Sequence, residues 1–267
     1  MSIGIVIKGP EGLVLAAESR ITLEAQTPGG PIIPVSFDNA RKVLQFAEPN
    51  SFVGVVTYGL GSIGLRSAYS FIPEFKSTLP TGQRLTIQDF SQRLSDFFMQ
   101  QWNAMMPANY QGPPMTFVIG GFNDGEPYGR MYLVVIPRSP TPVEQNPNPE
   151  FGITWGGQRE IVDRLIRGYD ERAINAATST LGLNPQQVQQ LRQSLAPLQM
   201  QIPIQFLPLQ DCIDLSIFFV RTTIEAQRLT VGIRGCGGSI DIATITRQGG
   251  FEWVQEKRIH GEAETTQ

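Results

Sequence analysis

Histidine is all but missing from this chain of 267 residues. The single one, His260, stands seven residues from the end in a Gly/Glu/Thr/Gln tail. A Ser-His-Asp or Cys-His catalytic unit would have to recruit it, and chain ends are loose unless docked. An enzyme built on this sequence therefore draws its base from a carboxylate, a lysine, a tyrosine or an α-amine. Cysteine is also scarce. Cys212 and Cys236 are the only two, with no CxxC pair. That spacing excludes a disulfide framework and a thiolate zinc site, and it suits a reducing cytoplasm, the expected location. Apolar runs long enough to span a bilayer are absent, as is a basic segment followed by a long apolar one. The net charge is −3, without a basic stripe, which speaks against nucleic acid as a partner. No membrane association, metal or cofactor is implied. With 41% hydrophobic and 17% charged residues the chain is globular in type. No linker or composition shift divides it, so one domain over residues 1–267 is expected, with a flexible tail from about residue 258.

What is present begins at once. Ser2 lies directly behind Met1, and Ile3, Ile5 and Ile7 alternate with Gly4, Val6 and Lys8, the pattern of a strand with one apolar face. Gly9-Pro-Glu-Gly12 is a turn, and Leu13 to Ala17 completes a hairpin. Residues 26–39 carry three prolines and a Gly pair and read as a loop. Strands follow at Arg41 to Phe46 and Ser51 to Thr57. Gly59 to Gly64 opens a helix with Leu65, Ala68, Tyr69, Ile72 and Phe75 at helical spacing. A second helix starts near Thr86, with Asp89 as a near capping box and an apolar stripe of Ile87, Phe90, Leu94, Phe97, Phe98 and Trp102. Met115 to Gly121 and Arg130 to Ile136 are strands, and residues 137–150 are a connection rich in Pro and Asn.

The second half repeats this order. A short strand at Phe151 to Thr154 precedes one helix carrying Ile161, Leu165, Ile166, Tyr169 and Ala173 on a face. A Gln-rich amphipathic segment covers 184–201. A helix from Asp211 to about Arg228 buries Ile213, Ile217, Val220 and Ile224. Strands at Ser239 to Thr246 and Gly250 to Val254 close the chain. Two groups of helices each need a sheet to cover. The arrangement that satisfies both is an α+β, four-layer α/β/β/α sandwich of two stacked, mainly antiparallel sheets flanked by helices.

If Met1 is removed, the α-amine and the hydroxyl of Ser2 lie on one residue at the start of a sheet. This is the minimal equipment of N-terminal-nucleophile catalysis. Glu18 falls sixteen residues after Ser2, and Arg20 two further on. Ala40-Arg41-Lys42-Val43-Leu44 places a lysine behind a small and a basic residue and ahead of an apolar strand. Tyr58-Gly59-Leu60 is a glycine-bearing turn, and Gly237-Gly-Ser-Ile-Asp241 runs into a strand. In these features the chain resembles the proteasome β-subunits and their bacterial relatives HslV and Anbu, over essentially its whole length and most strongly at its two ends. The resemblance implies the Ntn-hydrolase fold. It also implies Ser2 as nucleophile, Glu18 and Lys42 as its charged partners, and the Gly59 N–H as the oxyanion donor. Arg20, Thr230 and Cys236 are the support residues it suggests. Several positions differ from the family pattern. Serine replaces the usual threonine and glutamate the commoner aspartate, and the loop before Lys42 is longer. No support serine is found in Thr154-Trp-Gly-Gly-Gln158. The later Asp-x-x-Ser pair has only Gln227-Arg-Leu-Thr230 or Ile233-Arg-Gly-Cys236 to match it, neither with the aspartate.

The function so implied is hydrolysis of peptide bonds, through an acyl-enzyme on Ser2, in a self-assembled homo-oligomeric ring or stacked rings. Its partners would be a peptide or unfolded protein as substrate and an unfoldase of unspecified kind. The α-amine, with a reference pKa of about 7.7–8.0, supplies a base near neutral pH. The alternative is a structural proteasome-like subunit with a weak or inactive site, which the lost support residues favour. A small-molecule amidase on the same fold ranks third, because the Gly-Gly-x-Ile-Asp pattern is proteasome-like. Each residue alone has a plainer reading: Ser2 as an aid to Met removal, Glu18 and Arg20 as a surface pair, Lys42 as a strand end, Gly59 as a helix entry, Cys236 as a small buried side chain.

Overall fold

Strand β1 (Ile3–Lys8) turns back through a Gly9 N–H to Gly12 carbonyl bond of 2.9 Å into β2 (Leu13–Glu18). The computed structural model describes residues 2–26, 29–259 and 261, so the expectations placed on Met1, on His260 and on most of the tail lie outside the described residues. Every residue of β1 and β2 is buried. The expected single apolar face is therefore two. Ile3, Ile5 and Ile7 enter one apolar cluster, and Val6 with Leu13, Leu15 and Ala17 enters another.

The remaining strands are β3 (Ile21–Gln26), β4 (Ile32–Phe37), β5 (Val43–Gln45), β6 (Val53–Gly59), β7 (Met115–Gly121), β8 (Arg130–Ile136), β9 (Ser139–Gln145), β10 (Gly152–Gly157), β11 (Ile240–Thr246) and β12 (Gly250–Gln255). The helices are α1 (Ile72–Thr78), α2 (Ile87–Met105), α3 (Glu160–Arg167), α4 (Glu171–Leu181), α5 (Pro185–Leu195) and α6 (Leu209–Leu229). Two five-stranded antiparallel sheets result, in the orders β10-β1-β2-β11-β12 and β5-β6-β7-β8-β9, with β3-β4 as a separate ribbon. One apolar cluster joins residues of both large sheets, among them Val6, Leu15, Val56, Val118, Ala243 and Phe251. A second joins β5–β8 to α1 and α2, with Phe46, Phe75 and Phe90 meeting edge to face. The third joins β1, β2 and β11 to α3 and α6. The chain is thus α+β, with antiparallel sheets carrying helices.

Several expectations change. Residues 26–39 are not a loop throughout: β3 and β4 form a hairpin, with Glu24 opposite Pro34. Proline is tolerated because a two-stranded ribbon leaves each strand an unpaired edge. The 137–150 connection contains β9, whose Pro140 and Pro142 are likewise accommodated on the outer edge of its sheet. Gly59 to Gly64 does not start a helix. A 3₁₀ turn at Ala68–Phe71 leads into α1, and Leu65 is fully exposed. The single helix expected after Gly157 is two, α3 and α4, parted at Gly168, which has φ 80° and caps α3. On α3, Val162, Asp163 and Ile166 are buried; of the expected stripe Ile166 is buried, Ile161, Leu165 and Tyr169 are half-buried and Ala173 is exposed. On α6, Ile213 and Val220 are buried, whereas Ile217 and Ile224 are half-buried. Helix α2 starts as expected, Thr86 accepting from the Asp89 N–H at 3.1 Å, and its stripe is buried from end to end.

Candidate active site

The site gathers at one end of the first sheet, where β1 begins and β2 ends. The register places Ile3 opposite Gly157 of β10 and Gly4 opposite Ala17 of β2. Ser2, one residue before the first pair, is therefore held at the rim with 3% exposure. Its carbonyl accepts from the Gln158 N–H at 2.7 Å. Its hydroxyl oxygen accepts from the Gly59 N–H at 3.1 Å. The second contact crosses from the first sheet to the last residue of β6 in the other, so the two sheets together fix the hydroxyl.

Gly59 cannot be replaced lightly. Its φ is 91°, a region that disfavours side chains. A Cβ there would overlap the Pro114 carbonyl oxygen, which already accepts from the Leu60 N–H at 2.9 Å. Glycine is thus required to turn this N–H towards Ser2.

Glu18, at the end of β2, is 1% exposed, yet four donors surround its carboxylate. The Ile3 N–H (3.2 Å) and the Lys42 ammonium bond Oε1, and the N–H groups of Arg20 (2.6 Å) and Gly237 (3.0 Å) bond Oε2. Lys42, 6% exposed just ahead of β5, also donates to the Arg20 carbonyl. Burial pushes the Lys42 ammonium below the ordinary lysine range, against the opposing pull of Glu18. A buried pair whose carboxylate meets four donors and whose ammonium meets two acceptors is a fixed charge arrangement rather than a surface ion pair.

Arg20 takes part through its main chain and braces the same corner with its side chain. The guanidinium makes two bonds to Asp38 at 2.5 and 2.7 Å and reaches the Arg234 carbonyl at 3.2 Å and the Cys236 carbonyl at 3.5 Å. Cys236 is buried and its thiol is free. Burial first, then Glu18, raises its pKa, so it is no ready nucleophile. Thr230 stands apart: it is exposed, and its hydroxyl meets the Gln227 carbonyl at 3.4 Å. Ser2, Arg20, Lys42 and Gly59 line one narrow cleft of about 30 Å³, together with Ile21, Thr22, Tyr58, Gly61 and Ser67. Burial raises the pKa of Tyr58 to about 12, so it stays a neutral phenol in the wall of that cleft.

Some residues at the site gave no signal in the sequence. Gln227 accepts from the Cys236 N–H at 2.9 Å and donates to Gln158 at 3.1 Å, and Gln158 holds the Ser2 carbonyl. Asp241, from the Gly-Gly-Ser-Ile-Asp strand, pairs with Lys257, whose ammonium also reaches the Ser19 hydroxyl at 3.0 Å. Asp241 lay within a motif; the two glutamines lay in the segments compared with the family's support residues, Gln227 in the aspartate's place, and were given no role there. Among the described residues no group of three His, Cys, Asp or Glu could hold a metal ion, and no helix is long and apolar enough to cross a membrane.

No protein-family model matches the chain, and no curated protein matches it significantly. Solved structures do. A Gly-1 mutant of Anbu from Hyphomicrobium sp. strain MC1 superposes with a TM-score of 0.56 at 15% identity, over 99% of this chain and 89% of that one. Anbu from Yersinia bercovieri, described as an ancestral β-subunit, gives 0.55 at 13% identity, over 95% and 87%. Anbu from Pseudomonas aeruginosa, solved as a helical assembly, gives 0.56 at 15% identity, over 96% and 88%. At such identities the likeness is one of fold, and from end to end this chain is folded as the Anbu proteins are.

Proposed function

We propose that the chain is a proteasome-like N-terminal-nucleophile peptidase that cleaves peptide bonds on Ser2 after loss of Met1. The observation that carries this reading is the Gly59 N–H bonded to the Ser2 hydroxyl, in a cleft shared with a buried Lys42 that rests on Glu18. The Ser2 Oγ attacks the substrate carbonyl carbon, and its proton passes to the α-amine of the same residue. The Gly59 N–H turns to the tetrahedral oxyanion, a contact worth about 3–4 kcal/mol in comparable sites. The carbon–nitrogen bond then breaks, and the departing amine takes the proton from the α-ammonium. Water repeats the sequence on the resulting ester and frees Ser2. The Lys42 charge, in the same cleft, lowers the cost of the developing alkoxide, and Glu18 holds Lys42 in place.

The three apolar clusters, one between the sheets and one under each helical group, support the four-layer α/β/β/α arrangement and a single domain. Assembly into homo-oligomeric rings or stacked rings is part of the same proposal, as is a peptide or unfolded-protein substrate delivered by an unfoldase in the cytoplasm. The experiment is intact-mass measurement of the purified chain before and after a peptide epoxyketone, which needs both a free α-amine and the neighbouring hydroxyl. The expected result is loss of Met1, one adduct on Ser2, and none in Ser2→Ala. Retained Met1, or no adduct on a Met1-free chain, sinks the catalytic reading. The second reading, a structural subunit, then stands; the outward placement of Thr230 favours it.

A further inference from the structure

We infer that the side-chain amides of Gln158 and Gln227 form a bridge that positions Ser2 relative to Glu18, making both glutamines positioning residues of the site. This rests on the peptidase reading above. Two backbone segments hold the two halves of the machinery. One is the turn after β10: Gly157 has φ 89°, a Cβ there would overlap the Ser2 carbonyl oxygen, and the next N–H, from Gln158, donates to that oxygen at 2.7 Å. The other is the entry to β11, where the Gly237 N–H donates to Glu18 at 3.0 Å and the Gly237 carbonyl accepts from the Ser19 N–H at 3.1 Å. Among the described residues no main-chain hydrogen bond joins the two segments. Gln227, in the last turn of α6, spans them. Its Oε1 accepts from the Cys236 N–H at 2.9 Å, next to Gly237, and its Nε2 donates to Gln158 Oε1 at 3.1 Å.

The polarity of this bridge follows from chemistry. A backbone N–H is only a donor, so the Gln227 oxygen must face Cys236, its nitrogen must face Gln158, and Gln158 must present oxygen. Both links are neutral, so the bridge adds no charge beside the Lys42–Glu18 pair and acts through geometry alone. A nucleophile at a chain start has covalent attachment on one side only. Its carbonyl clamp therefore decides where the hydroxyl points, and small displacements at a reacting atom are costly.

The test uses the full-length, Met1-free chain and the rate of epoxyketone adduct formation at Ser2. Gln227→Met and Gln158→Met keep length and remove the bridge. Each is expected to slow labelling by roughly 10- to 100-fold. The double variant should lose no more than the worse single one, because one bridge is lost once. Gln158→Glu still accepts from the Gln227 Nε2 and should label within about threefold of the wild type. In the two Met variants the pH midpoint of labelling should stay where the α-amine sets it, since neither changes a charge. Wild-type rates in both Met variants overturn the inference, as do losses that multiply in the double variant. So does slow labelling that tracks a collapsed melting temperature, or failure of Gln158→Glu to rescue. A wild-type chain that does not label overturns the peptidase reading itself and this one with it.

Discussion

Adding one methyl group at Gly59 perturbs fold and chemistry together. In Gly59→Ala the alanine would have to hold φ near 91°, a strain of about 1–3 kcal/mol. Its Cβ would also overlap the Pro114 carbonyl oxygen, beside the point where Gly59 pairs with Met115. Relieving that overlap opens the end of the β6–β7 ladder, at about 1–3 kcal/mol more. The sum, about 2–6 kcal/mol, corresponds to a fall in melting temperature of roughly 5–20 °C for a chain of this size. Gly182→Ala is the control. Gly182 caps α4 with φ 61° and nothing within 4 Å of a Cβ, so only the backbone term of about 1–2 kcal/mol applies there. Calorimetry of the two variants separates strain from overlap. Epoxyketone labelling reports the chemistry, where displacing the oxyanion donor is expected to cost about 10²–10³ in rate. If Gly59→Ala melts within about 2 °C of Gly182→Ala and labels at the wild-type rate, the steric argument and the role of this N–H are both refuted.

Glu18→Gln keeps the shape but turns an NH₂ towards donors and leaves Lys42 buried without its counter-charge. A loss of about 3–5 kcal/mol in urea unfolding is expected, and a loss under about 1 kcal/mol would contradict the buried-pair reading. The lowered pKa of Lys42 has a definite sign. The native chain binds fewer protons than the unfolded one between the depressed native pKa and the ordinary value of about 10.4. This group's contribution to stability therefore rises with pH across that window and levels off above it. Wild-type stability, measured against a Glu18→Gln, Lys42→Met double variant, should increase as the pH rises towards the ordinary lysine value of about 10.4; a flat or falling difference overturns the assignment. Phe90→Ala empties a fully buried position touching Phe46 and Phe75 edge to face and should cost about 3–5 kcal/mol, with labelling of the surviving folded protein unchanged.

Local patterns in the sequence carried much of the fold. The stripe on α2 and the strands β7 and β8 obey single-residue periodicities and could be read directly. The hairpin β3–β4 and the edge strand β9 were hidden by proline, which punishes a central strand but not an outer edge. The break at Gly168 was hidden because apolar residues continue at helical spacing on both sides of it. At the site, the residues marked by the resemblance were visible: Ser2, Glu18 and Lys42 by their side chains, and Gly59 by the turn it makes. Those that bridge were not, because Gln158 and Gln227 meet across 69 positions, and their segments read as places where a serine and an aspartate were lost rather than as partners. Thr230 was named on spacing and points away, since the chain between Leu229 and Gly235 lies exposed beyond the end of α6.

The pairing of β1 on both edges has a consequence for how such a site could be altered. With Ile3 opposite Gly157 and Gly4 opposite Ala17, the ladder works as an index that assigns each residue of the first strand to a face. Sliding the strand by one position would move the first hydroxyl by about 3.3 Å and turn it to the opposite side of the sheet. Inserting or deleting one residue ahead of Lys8 therefore changes the address of the nucleophile rather than the length of a flexible end. Both faces of the strand are buried, so such a slip exchanges its residues between two apolar clusters and puts a side chain where Gly4 now clears Val56 and Tyr58.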